Sequence, residues 1–393
     1  MKQSLYVLLT ATTLACAVAG CSHLGGSPAA EPPPAAAAQR ALQAVKAKYV
    51  PDSHLDIWTL GLRQSGRQLV LTGDVKRAEA KAEALSALRG AGFKVTDRAT
   101  VVPTAELGDK LWGISCLSVA SGRELPEHKA EMGTQILMGH VVQVWKRATN
   151  FWLEWFLAQS ADGYPAWLEG GTFVRCTRAE AEAWQASPLL MVTAFEDRIL
   201  EQPQADAEPV SDVVLADLVK KTSEQGDWFR VELPDGRAGF LPKASAEDYR
   251  AWQAKRQPTA ENIERTARQF LGRPYLWGAN SPKGMDCSGF TKTVFFLNGV
   301  DLLRNASHQA RQGAPVPLDA DLSQLRKGDL LFFGTRARGE RPERIRHVGI
   351  YLGDKLFIHS SERVRISSLD PASPIRDENR IRTLLYARRV LKP

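Results

Sequence analysis

The chain has 393 residues, too many for one comfortable hydrophobic core, and two to four domains are expected. Its 44% hydrophobic and 24% charged residues are those of an ordinary globular protein. The net charge of +7 is mild and dispersed, and the densest basic run, Arg336 to Arg344, is broken by Gly339, Glu340, Pro342 and Glu343. That run reads as a solvated loop, which argues against a nucleic-acid partner.

In chain order, residues 1–20 read as an export signal: Lys2 supplies positive charge, and an apolar run from Leu5 to Val18 ends in small residues. It is too short for a comfortable membrane span. Val18-Ala19-Gly20-Cys21 resembles a bacterial lipobox. The resemblance implies lipid on Cys21 and a membrane partner, because each buried methylene contributes about 0.8 kcal/mol to anchoring. Ser22 after the cysteine resembles an outer-membrane address, so the expected location is the cell envelope, on the periplasmic face of that membrane.

Residues 21–38 are rich in Ala, Pro and Gly and read as a linker. Residues 39–104 read as a small α/β unit. Ala41, Leu42, Val45 and Tyr49 have helical spacing. Ile57–Leu62 and Gln68–Thr72 alternate as strands around Ser65-Gly66, Ala78–Leu88 forms a helix, and a third strand starts at Phe93. This order resembles BON-like modules of cell-envelope proteins.

Residues 105–185 and 186–257 consist of short strands and carry a faint internal repeat. Asp162-Gly163-Tyr164-Pro165-Ala166-Trp167-Leu168 is echoed by Asp235-Gly236-Arg237-Ala238-Gly239-Phe240-Leu241, each after an aromatic strand. Strand, Asp-Gly turn and strand make a hairpin. The pattern resembles a bacterial SH3-like β-barrel, present twice. Cys116 and Cys176 fall at the edges of the first copy, and an exported location allows either a disulfide or two buried thiols. No Cys/His cluster has metal-site spacing, and neither metal nor cofactor is expected.

Residues 258–393 begin with helices and end with strands, an α+β order. One helix carries Ile263, Ala267, Phe270 and Leu271; another opens at Cys287 and buries Phe290, Val294 and Leu297. Strand-like runs follow at 329–333, 348–352 and 356–358. A thiol of pKa about 8.5 is mostly protonated at neutral pH. Unpaired N–H groups at a helix start stabilise its thiolate, an imidazole moves its proton, and a third group orients that imidazole. Cys287, His347 and His359 fill these roles as nucleophile, base and orienter. Adjacent antiparallel strands can bring the two histidines onto one face.

Four motifs then carry a family resemblance: Pro274-Tyr275-Leu276-Trp277-Gly278, Asp286-Cys287-Ser288-Gly289-Phe290, Gly328–Phe333 and His347-Val348-Gly349-Ile350-Tyr351. They resemble the NlpC-type papain-like cell-wall cysteine peptidases over roughly residues 262–390. The resemblance implies cleavage of peptidoglycan stem peptides at the γ-D-glutamyl to diamino acid bond, diaminopimelate or lysine. It places Cys287, His347 and His359 at catalytic positions and Tyr275 beside the oxyanion. Ala279 departs from the pattern, where many members have a second Gly. With two SH3-like units ahead of it, the chain is similar to members that require a free N-terminal L-Ala. That likeness implies Glu131, Tyr164 and Asp286 as ligands of the alanine ammonium, and Ser288 and Ser307 as ligands of substrate carboxylate or backbone. Two rivals remain: a papain-like amidase or acyltransferase with another substrate, and a non-catalytic wall-binding lipoprotein.

Overall fold

The computed structural model describes residues 36–50, 56–65, 68–339 and 341–392. The export signal, Cys21 and most of the linker lie outside the described residues. The first helix, Ala36–Tyr49, already occupies the last residues assigned to the linker.

This helix and a second, Ala78–Gly90, pack on a three-stranded sheet. Gly61–Ser65 pairs antiparallel with Gln68–Val75, and Gln68–Val75 pairs parallel with Lys94–Val101, the second helix forming the crossover. Leu42, Val45, Leu69, Leu71, Ala84 and Leu88 are buried in one core, which explains the helical and alternating spacings of the sequence.

The next two units each contain a seven-stranded antiparallel sheet. One runs from Trp112–Ser115 to Phe173–Cys176, the other from Leu189–Val192 to Ala246–Asp248. With strands counted along the chain within each unit, the spatial order is seven-one-four-five-six-two-three in both. Both also have a short 3-10 turn before the seventh strand, Gly170–Thr172 and Lys243–Ser245, and a helix after it, Arg178–Ala186 and Tyr249–Lys255. The faint repeat is therefore a repeat of topology. Gly163 (φ +84°) and Gly236 (φ +85°) make the equivalent turns between the fifth and sixth strands, a left-handed conformation that glycine adopts without strain.

Cys116 and Cys176 are free and buried. In the antiparallel pair, Cys176 lies opposite Trp112, four residues before Cys116. That offset is about 13 Å along the strand, and a disulfide requires Cα atoms within about 7 Å. The two-thiol alternative holds.

The C-terminal unit is a six-stranded sheet. Its order is Ala314–Val316, Leu384–Arg389, Leu330–Thr335, Arg344–Gly353, Leu356–Ser361 and Arg363–Ser368. Helices Ala260–Gln269 and Cys287–Leu297 cover one face. Phe270, Phe290, Phe295, Phe332, Ile350 and Ile358 are buried between helices and sheet. Each such side chain contributes about 1.5–3 kcal/mol relative to exposure, so the helix that starts at Cys287 is held rigidly against the strands.

Candidate active site

Asp286 caps the Cys287–Leu297 helix. Its Oδ1 accepts from the Gly289 N–H at 2.7 Å. Cys287 therefore stands in the first helical turn, among N–H groups without helical acceptors. Gly289 permits the preceding loop to pack here: a Cβ would lie 2.1 Å from the Ala279 carbonyl oxygen. Burial pushes the thiol up to about 12, and the Asp286 charge acts in the same direction. The Val348 N–H, the Arg304 cation and the Ser288 N–H oppose that shift. The sulfur thus lies against the residue next to His347.

The strands Arg344–Gly353 and Leu356–Ser361 pair antiparallel, with Ile350 opposite Ile358 and Tyr351 opposite Phe357. His347 Nε2 lies 2.7 Å from His359 Nδ1, the two rings perpendicular. His359 Nε2 lies 3.1 Å from Ser367 Oγ, on the next strand. For His347 to accept a proton at Nδ1, its Nε2 must carry hydrogen. His359 Nδ1 then accepts, and His359 Nε2–H donates to Ser367. This relay gives each neutral ring one defined tautomer. Burial depresses His347 well below the ordinary imidazole value, helped by the Arg380, His359 and Arg365 charges. Burial, then Arg380 and Arg365, hold His359 down to about 3. Burial thus favours the neutral forms of the thiol and of both imidazoles.

Tyr275 is half-buried, and its backbone N–H donates to the Glu362 carbonyl at 2.8 Å. Burial, and then the charges of Cys287 and Asp286, hold its hydroxyl above the usual phenol range. It remains a neutral hydrogen-bond donor near the thiol.

Asp286 does more than cap the helix. Arg304, 1% exposed, grips it from both sides, Nη1 to Oδ1 at 3.1 Å and Nη2 to Oδ2 at 2.6 Å. Arg304 Nη1 also donates to Ser288 Oγ at 3.1 Å, and Asp286 Oδ2 accepts from the Gly278 N–H at 3.0 Å. The carboxylate is thus largely neutralised before any substrate arrives.

The first seven-stranded unit docks beside this cluster. Gln135 and Asn280 exchange two hydrogen bonds, 2.9 and 3.0 Å, and Lys292 pairs with Asp162 at 3.0 Å. Gly278 approaches so closely that a Cβ would meet the Met132 carbonyl oxygen at 2.0 Å. Trp277 Nε1 donates to Glu131 Oε1 at 2.6 Å. The buried Tyr164 hydroxyl donates to Glu124 Oε1 at 3.1 Å and is flanked by Arg304 and Asn305. The structure therefore brings Tyr164 to Glu124 and holds Glu131 through Trp277. Ser288 joins the Asp286–Arg304 cluster, whereas Ser307 lines a cavity with Arg344, Arg346, Tyr386 and Arg388 that includes neither Cys287 nor Asp286. Sequence reasoning missed Ser367, Arg304, Glu124 and Arg380. Arg304 lies three residues before Ser307, but a lone arginine carries no signal of burial.

Residues 272–381 match the NlpC/P60 family. The C-terminal region is an NlpC/P60 domain, and the chain carries a cysteine peptidase of that cell-wall class. It is 28% identical over 264 residues to dipeptidyl-peptidase 6 of Lysinibacillus sphaericus, covering 64% of this chain and 89% of that protein. It is 29% identical over 246 residues to a γ-D-glutamyl-L-lysine dipeptidyl-peptidase of Bacillus cereus, covering 61% of this chain and 71% of that protein. The crystal structure of an NlpC/P60 family protein from Bacillus cereus superposes with a TM-score of 0.59 at 25% identity. It covers 72% of this chain and the whole of that one.

Proposed function

We propose that this protein hydrolyses the γ-D-glutamyl to diamino acid bond of peptidoglycan stem peptides and prefers substrates with a free N-terminal L-Ala. The observation that carries this reading is the relay His347–His359–Ser367 behind a helix-start thiol, with the docked seven-stranded unit bringing Glu131 to Trp277 and Glu124 to Tyr164. As His347 takes the thiol proton, the thiolate attacks the γ-carbonyl. The Cys287 N–H and the Tyr275 hydroxyl stabilise the oxyanion. His347 returns the proton to the leaving amine, a thioester forms, and water activated by His347 releases the acyl dipeptide.

On the acyl side, Arg304 neutralises Asp286, so the charge that attracts an alanine ammonium comes mainly from Glu131 and Glu124, with the Tyr164 hydroxyl between unit and domain. Carboxylates there offset the desolvation of a bound cation through charge-assisted hydrogen bonds. The names of the two relatives, both dipeptidyl-peptidases, support removal of an N-terminal dipeptide. We further propose that the two seven-stranded units are SH3-like barrels, that the N-terminal unit is BON-like, and that Cys21 anchors the protein by lipid at the periplasmic face of an outer membrane.

The test is hydrolysis of L-Ala-γ-D-Glu-diaminopimelate and its lysine counterpart, with the alanine amine free or acetylated. Cleavage at the γ-glutamyl bond, lost in Cys287→Ala with folding retained, is expected. Equal cleavage of free and acetylated substrates discards the amine pocket, and turnover by Cys287→Ala discards the mechanism.

A further inference from the structure

The N-terminal α/β unit is packed firmly against the first seven-stranded unit. Ile57 and Val102 share a buried core with Trp145 and Leu157, and Trp167 packs against it. The Thr104 N–H donates to the Trp145 carbonyl at 3.0 Å, and the buried Asp74 pairs with Lys146 at 2.7 Å. Lys76 Nζ sits 4.3 Å from the centre of the Trp145 ring, a cation–π contact, and donates to Gln159 Oε1 at 3.3 Å.

Gln159 is the last residue of the strand Leu153–Gln159 and is buried. Its Nε2 donates across the following turn to the Gly163 carbonyl at 2.6 Å. Gly163 precedes Tyr164, whose hydroxyl reaches Glu124 and whose N–H donates to Asp162 Oδ1 at 3.3 Å. Asp162 in turn pairs with Lys292 of the Cys287–Leu297 helix at 3.0 Å. The turn 160–164 is therefore held from two sides, by the nucleophile helix and by the N-terminal unit. The second hold depends on charge. A glutamine amide fits the same space in two orientations. With its oxygen toward the Lys76 ammonium, its NH2 faces the Gly163 carbonyl, and both contacts are favourable. Flipped, its donor would face the cation and its oxygen would face a carbonyl oxygen.

We infer that the N-terminal unit is a positioning element of the acyl-side pocket, in which Lys76, acting through Gln159 and the Gly163 carbonyl, fixes the turn that presents Tyr164. This inference rests on the amine pocket proposed above and adds what holds that pocket in shape. Lys76 is a positioning residue. It acts on Tyr164 through intervening groups and lies in a different unit from Cys287, His347 and His359, so its loss should weaken binding of a free-amine substrate and leave the chemistry intact.

The test uses the full chain and its Lys76→Met, Lys76→Arg and Gln159→Leu variants. Steady-state kinetics are measured on L-Ala-γ-D-Glu-diaminopimelate with the alanine amine free or acetylated. Lys76→Met is expected to raise KM for the free-amine substrate by roughly 3- to 15-fold, with kcat on it and kcat/KM on the acetylated one within about twofold of wild type. Lys76→Arg keeps a cation over the ring and a donor to the amide, and should stay within about threefold of wild type. Gln159→Leu should raise the same KM, and the double variant Lys76→Met/Gln159→Leu should be no worse than Gln159→Leu alone, because both break one chain of contacts. Equal loss on both substrates, or a loss confined to kcat, overturns the inference in favour of a general stabilising role. Lys76→Arg as damaged as Lys76→Met, or a double variant equal to the sum of its singles, overturns the chain from cation to turn. A wild type that discriminates between the two substrates while Lys76→Met discriminates equally well refutes the inference alone. A wild type that cleaves both substrates equally refutes the amine pocket itself and the inference with it.

Discussion

Replacing Arg304 by Met removes the cation that grips Asp286 and tests whether the base of the active site depends on this buried pair. Arg304 makes three hydrogen bonds there, two to Asp286 and one to Ser288. In Arg304→Met, Asp286 keeps only the Gly278 and Gly289 N–H groups and the Ser288 hydroxyl, at 3.0, 2.7 and 3.2 Å. Stranding one charge of a buried pair costs about 3–5 kcal/mol. At 1.36 kcal/mol per tenfold, local opening should rise on the order of 10²- to 10⁴-fold. The stranded carboxylate also lies beside Cys287 and should raise the thiol further. The assay is alkylation of Cys287 along a denaturant series, followed on the Cys287 peptide by mass spectrometry so that Cys116 and Cys176 do not interfere. The double variant Asp286→Asn/Arg304→Met removes both charges and should recover much of the loss, since neutral replacement of a buried pair is often tolerated. A single variant that costs less than about 1 kcal/mol, or a double variant as damaged as the sum of its singles, refutes the reasoning.

Removing the orienter in His359→Ala should lower kcat by roughly 10²- to 10⁴-fold, whereas Ser367→Ala, which removes one neutral hydrogen bond, should cost less than about 15-fold; steady-state kinetics with circular dichroism as a folding control checks both. Cys287 is pushed up to about 12 in the free protein, so its alkylation at pH 7 should be slow and accelerate through the alkaline range, and a pH-independent fast rate would contradict the neutral resting pair. His359 binds its proton only near pH 3 in the fold but at about 6.5 in an unfolded chain. Its contribution to stability is therefore present above about pH 6.5 and is lost as pH falls toward 3. Thermal melts across that window should show a shallower acid decline in His359→Asn than in the wild type. Gly289→Ala should disable the enzyme by forcing the Ala279 loop away from the helix, since the added Cβ would sit 2.1 Å from a carbonyl oxygen; wild-type kinetics from this variant would contradict that packing.

Much of this was legible in the residues themselves, for local reasons. Helical spacing around Phe290 and Val294 and a continuous apolar run after His347 are short-range patterns, and the corresponding elements form at Cys287–Leu297 and Arg344–Gly353. The Asp-Gly echo signalled a repeated hairpin because a left-handed turn selects glycine. What a one-dimensional pattern lacks is the identity of neighbours. Nothing near Arg304 or Ser367 in the chain announces that one is buried against Asp286 and the other ends the histidine relay, because those contacts join different elements.

The same division separates the two halves of the function. The reacting trio, Cys287, His347 and His359, is set by sequence, since a helix start and two neighbouring strands each place one side chain by local periodicity. The surroundings that tune it were decided by tertiary packing. Packing neutralised Asp286 with Arg304, set Glu124 rather than Glu131 against Tyr164, and kept Cys116 apart from Cys176 by the register of two strands. Charge balance and register depend on which surfaces meet, and only the folded chain brings those surfaces together.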